Sequence, residues 1–125
     1  MPGFVVQVLL VGAGGFVGAV LRHSIGIGLQ RLFSTALPIG TLVVNICGCL
    51  AIGLVAGAAE ARGALSPELR LLVVVGLLGG FTTFSAFGFE THDLLRREPL
   101  LALLNVSLHL IVGVAAVWLG LRVTS

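Results

Sequence analysis

The 125-residue chain is 58% hydrophobic and carries 18 glycines, and only 10% of its residues are charged, against about 25% in an ordinary soluble domain. That leaves too little polar surface for a soluble fold, and its seven basic residues, all Arg and scattered, make no patch for nucleic acid despite the formal net charge of +2. With a mean hydropathy of +1.18 and about 20 residues per spanning helix, the chain has room for four spans and none for a soluble catalytic domain.

The first apolar run covers residues 4–21 and ends at Arg22-His23. No basic residue precedes it, so it reads as a retained span and not as a cleaved signal peptide. Gly12, Gly15 and Gly18 mimic a dinucleotide-binding turn. That fold needs an acidic residue about 20 positions further on, and the first acid here is Glu60. Helix packing explains the glycines better: Gly14 and Gly18 form a GxxxG pair, as do Gly53 and Gly57, and Gly76 and Gly80. The linker 24–37 is mixed, with Gln30 and Arg31, and leaves room for a short interfacial helix.

Pro38 suits the first turn of a second span, residues 38–59. Thr41 and Asn45 lie one turn apart on one face of it. Cys47 and Cys49, at i and i+2, point to different faces, so they read as small core residues and not as a disulfide. After a charged loop, 60–68, a third span covers 69–89; after another, 90–99, a fourth covers 100–121. In the fourth, Asn105 and His109 share a face and Trp118 is placed for the membrane interface. The chain is expected to form one domain over residues 1–125.

The third span is the unusual one. Gly79-Gly80-Phe81-Thr82-Thr83-Phe84-Ser85-Ala86-Phe87 begins at its centre, and adjacent glycines with three hydroxyl residues have poor reason to face lipid. A helix break at Gly79-Gly80 is the expectation. Unwound backbone at that depth is tolerated only inside protein or beside a water-filled cavity, and broken helices at mid-membrane are a recurring device for ion sites. Intramembrane Asn is likewise a functional candidate. No acidic residue falls within the first, second or fourth span as bounded. That argues against a proton-coupled exporter and against an acid-lined cation pore, and it favours an anion.

Arginine positions bear on orientation. The N-terminus, second loop and C-terminus share one side and hold Arg62, Arg70 and Arg122; the other side holds Arg22, Arg31, Arg96 and Arg97. So slight a bias gives no firm positive-inside signal. It permits insertion in both directions, and with it an antiparallel dimer.

Three motifs then carry a resemblance over nearly the whole chain. Gly14-Gly15-Phe16-Val17-Gly18-Ala19-Val20-Leu21-Arg22, Gly40-Thr41-Leu42-Val43-Val44-Asn45-Ile46-Cys47-Gly48 and the Gly79–Phe87 stretch quoted above resemble the helix signatures of the Fluc (CrcB) family of fluoride channels. The resemblance implies an all-α membrane protein with four transmembrane helices and a broken third helix. It implies an antiparallel, dual-topology homodimer in the cell inner membrane that exports fluoride from the cytoplasm by passive conduction and so lowers its toxicity. It is not an enzyme on this reading. A central structural Na+, not transported, would be held by the backbone carbonyls of Gly79 and Thr82 from both subunits. Phe84 and Phe87 would line the fluoride pathway with Asn45 as amide donor, Thr83 and Ser85 beside the break, and Arg22 at the vestibule. Thr41, Asn105 and His109 complete the expected pathway by their placement. Two departures stand out: Ala86 occupies a position where the family usually has a hydroxyl, and the fourth helix offers Asn105 and His109 where Tyr and Ser or Thr are frequent.

The chemistry is coherent. Fluoride is small and strongly hydrated, so a pore must replace its water. The positive ring edges of Phe84 and Phe87, at i and i+3, serve as weak donors that let the ion leave again. A small dual-topology multidrug exporter, the alternative, needs a carboxylate in its first span and finds none there. A subunit without transport activity leaves Asn45 unexplained.

Overall fold

The computed structural model describes residues 1–63 and 65–125. The described residues are all-helical outside short connections. Four helical segments are long and apolar enough to cross a membrane: Phe4–Leu32, Ile39–Arg62, Pro67–Arg97 and Pro99–Thr124. We label Phe4–Leu32 α1 and Ile39–Arg62 α2. The third span is two helices, α3 over 67–81 and α4 over Phe84–Arg97. Pro99–Thr124 is α5.

Every helix outruns its expected span. α1 continues through Arg22 and His23 to Leu32, so no separate interfacial helix exists between it and α2. The stretch 24–32 lacks Pro, and it stays helical despite Gly26 and Gly28, each of which costs about 1 kcal/mol relative to Ala. Gln30 then fastens the connection, donating to the carbonyls of Thr35 and Leu37 and accepting from the Gly40 N–H. α2 ends at Gly63, whose φ of +93° only glycine adopts without strain. Ser66 caps α3 by accepting from the Leu69 N–H, and Pro67 sits in the first turn, where its missing N–H costs nothing.

Glycines decide which helices pair. α1 packs on α3: a Cβ on Gly14 or Gly18 would strike the Leu72 or Leu77 carbonyl, and one on Gly76 or Gly80 would strike Val11 or Gly15. α2 packs on α5 by the same device. Gly53 and Gly57 face Val117, Gly120 and Leu121, and Gly120 faces Leu50 and Leu54. Without water between the helices there is little hydrophobic drive to pair them, so close backbone packing carries the association. All three GxxxG pairs expected from the sequence are used this way. Cys47 and Cys49 are both free thiols.

The break lies later than expected. Gly79 and Gly80 are helical, and the chain extends at Thr82 (ψ 157°) and Thr83 (φ −148°, ψ 118°). Gly80 is needed for close approach to Gly15 of α1, which a regular helix provides. The two β-branched threonines adopt extended backbone readily, and Asn45 of α2 pairs with both the N–H and the carbonyl of Thr83. π-type turns, rare and frequent at functional sites, run from Arg70 to Leu78 just before the break and from Leu108 to Val112 in α5.

Candidate functional site

The break exposes polar backbone where lipid tails cannot satisfy it, so its partners define the site. Asn45 supplies two. Its side-chain Oδ1 accepts from the Thr83 N–H at 2.8 Å and its Nδ2 donates to the Thr83 carbonyl at 2.9 Å. Thr83 then caps α4 by accepting from the Ala86 N–H at 3.1 Å, and its hydroxyl lies 3.3 Å from Ser85 Oγ. Thr82 closes the end of α3: its N–H and its hydroxyl both donate to the Leu78 carbonyl, each at 3.0 Å. Its methyl group lies where a Cβ on Gly48 would stand, which is why α2 carries glycine at that position. Arg22 reaches across from α1, Nε donating to the Gly80 carbonyl at 3.1 Å.

Two cavities meet at this strap. The larger, about 450 Å³, is mostly apolar; Asn45, Cys49, Thr83, Phe84, Phe87 and His109 are among its lining, with Gly79 and Thr82 beside them. The smaller, about 270 Å³, is walled by Arg22, His23, Gln30, Thr41, Thr83 and Glu90, with Ala86 between. Thr83 lines both. α4 divides them by its periodicity, since Phe84 and Phe87 lie on one stripe and Thr83, Ala86 and Glu90 on the next.

Most of the expected site residues converge here. Phe84 and Phe87 stand 5.5 Å apart, centroid to centroid, and the Phe87 ring lies 4.2 Å from the imidazole of His109. Phe84 is 82% exposed on the face of the single protomer. Thr41 and Arg22 wall the polar cavity, and Ser85 opens α4 without lining either cavity. Asn105 is fully buried, donates to the Thr91 hydroxyl at 3.0 Å and meets the site only through its carbonyl, which lies 2.9 Å from His109 Nδ1.

Glu90 is the residue sequence reasoning missed. A third span ending at Phe89 put it in a loop, and the pathway seemed free of carboxylates. α4 runs on to Arg97 and carries Glu90 into the polar cavity, where Oε1 accepts from the Thr41 hydroxyl at 2.8 Å and Oε2 is buried without a partner. The available signal was helical phase: Glu90 lies four residues after Ala86 and seven after Thr83, on their stripe.

Among the described residues no three His, Cys, Asp or Glu side chains cluster as metal ligands. Oxygens beside the break come from the Thr82, Thr83 and Ser85 hydroxyls and from the last-turn carbonyls of α3, of which those of Leu78 and Gly80 already accept from Thr82 and Arg22. Carbonyl oxygens suit a hard cation.

A helix broken at mid-length, strapped by a neighbouring amide and flanked by one polar and one apolar chamber, marks a polytopic membrane protein with four spanning helices. The chain belongs to the CrcB family: the family described as CrcB-like protein, Camphor Resistance (CrcB), matches residues 9–121. The chain is 44% identical over 116 residues to the fluoride-specific ion channel FluC of Methylobacillus flagellatus, covering 91% of each chain. Fluoride-specific ion channel FluC 1 of Methanosarcina acetivorans is 45% identical over 114 residues, 90% of this chain and 86% of its own. The FluC protein of Hyphomonas neptunium is 48% identical over 124 residues, 97% and 94% respectively.

Proposed function

We infer that this protein is a fluoride-specific ion channel of the membrane that conducts passively, as one domain over residues 1–125. One observation carries the reading: an Asn45-strapped helix break placed between the Phe84–Phe87 ring pair and the arginine-bearing cavity. An anion arriving beside Arg22 meets positive charge and the Thr83 hydroxyl, while the Thr41 hydroxyl is committed to Glu90, and then, past Thr83, the rings. Ring edges carry partial positive charge and bind weakly, which keeps dwell times short enough for conduction. Fluoride efflux from liposomes holding this protein alone tests the reading; chloride should pass far more slowly, and equal fluxes overturn it.

We further propose that the working unit is an antiparallel homodimer. Phe84 stands free on one face of the protomer, and the arginines give the chain no firm orientation. A central Na+ fits the donors at hand, since Gly79 and Thr82 share one cavity wall next to the end of α3. Their carbonyls would hold it, and the ion would supply positive charge and cross-link the two subunits. An impermeant thiol reagent should modify a cysteine placed in the 60–68 loop from both sides of the membrane. One-sided reaction in conducting vesicles overturns the dimer proposal.

A further inference from the structure

Counting hydrogens at Asn45 shows that no donor of this amide is idle. The Thr83 N–H can only donate, so the atom facing it at 2.8 Å is Oδ1, and this fixes the amide orientation. Nδ2 then has two hydrogens and two acceptors, the Thr83 carbonyl at 2.9 Å and His109 Nε2 at 3.1 Å. The imidazole tautomer follows from its other side. Nδ1 lies 2.9 Å from the Asn105 carbonyl, which can only accept, so Nδ1 carries the hydrogen and Nε2 presents its lone pair to Asn45. The ring packs on Phe87 inside the apolar cavity.

We propose that His109 is an affinity-determining residue of the pathway: its Nε2 holds the one Asn45 N–H that a passing anion can take, so anion and imidazole compete for that hydrogen. The inference rests on the fluoride-channel reading and deepens it. The two Asn45 N–H bonds are not equivalent. Releasing the Thr83 carbonyl undoes the strap across the break. Releasing His109 costs a single side-chain hydrogen bond and leaves the backbone paired. Displacing a resident acceptor requires a better one. A compact, charge-dense anion such as fluoride forms stronger hydrogen bonds than chloride and displaces the imidazole more readily, and the exposed Nε2 lone pair then keeps the anion weakly held. A bare amide would bind more tightly, because no resident acceptor has to be displaced.

The test compares liposomes carrying the full-length parent, His109→Phe and His109→Gln. Phe keeps a ring against Phe87 and removes both nitrogens; Gln keeps an acceptor near the Nε2 position. His109→Phe should lower the half-saturating fluoride concentration by about threefold to tenfold, the worth of one net hydrogen bond. His109→Gln should fall between the parent and His109→Phe in half-saturation. Parent-like half-saturation in folded His109→Phe overturns the proposal, as does a complete loss of flux in that variant or identical behaviour of the Phe and Gln proteins. If His109→Phe does not fold, His109→Leu carries the same comparison. A parent that passes no fluoride instead overturns the channel reading, an outcome separate from all of these.

Discussion

The apolar chamber beside the break and the polar chamber beyond it differ in the helices that build them. The polar one is walled by α1, α2 and α4; the apolar one draws on α2, α3, α4 and α5, and Thr83 is the residue common to both linings. A continuous third helix would not allow this arrangement, because one regular helix presents a single phase along its length. Breaking it at Thr82 and Thr83 resets the phase, and α4 then turns its phenylalanines one way and Glu90 the other. Asn45 holds that reset in place, so the two chambers depend on a single side chain.

Asn45→Ala should therefore have the largest effect, because it removes the seam itself. It leaves the Thr83 N–H and carbonyl without partners, at a cost of about 2–4 kcal/mol in stability. Thermal unfolding in detergent should show the loss, and flux should vanish with it. An Asn45→Ala protein that melts like the parent and conducts would mean that the chambers are not joined through this amide.

The phenylalanines come next and sharpen the contrast between function and packing. Phe84→Ile and Phe87→Ile keep most of the apolar volume, so the stability change should stay below about 1.5 kcal/mol. The polarised ring edge is lost, and fluoride efflux should fall by at least about tenfold, or 1.4 kcal/mol of barrier. Folded variants that conduct like the parent would reduce the apolar chamber to a packing surface.

On the polar side the expected effect is smaller and depends on salt. Arg22→Gln removes a charge and the bond to the Gly80 carbonyl. Efflux should fall by about threefold at low ionic strength and by less as added salt screens the field. A loss that salt does not alter would assign Arg22 to bracing α3 and not to attracting anions. Ala86→Ser is the smallest change. It adds a hydroxyl in the first turn of α4 on the polar wall, and both stability and flux should stay within about 0.5 kcal/mol, roughly twofold, of the parent. A larger shift would show that the polar wall is tuned at this position.

Much of this was legible beforehand. Composition and apolar run length gave four spans, because a bilayer imposes a minimum length of apolar helix. The GxxxG spacings named the packing glycines, because only a missing side chain lets backbones approach so closely. What misled was the double glycine. Gly79-Gly80 reads as a hinge by propensity, whereas both residues are helical, with Gly80 packed on Gly15 of α1, and the extended residues are Thr82 and Thr83. Span boundaries misled as well: setting the limit at Phe89 hid Glu90, because hydropathy marks where apolar residues stop and not where the helix ends.

The sequence by itself determined that this chain enters a membrane, how many times it crosses, and that its third span is interrupted by a polar, phenylalanine-rich segment. These follow from local chemistry, namely the cost of polar groups in lipid and the phase of apolar residues along one helix. Tertiary structure decided the rest. It chose Asn45 as the strap, gave its second hydrogen to His109 from α5, brought Glu90 to Thr41 from α4, and placed Thr83 where two cavities meet. Each of these joins residues 38 to 64 positions apart or more than one helix. Which of several polar side chains meets a given partner depends on how closely the helices approach, and the paired glycines set that distance only once all four spans are packed.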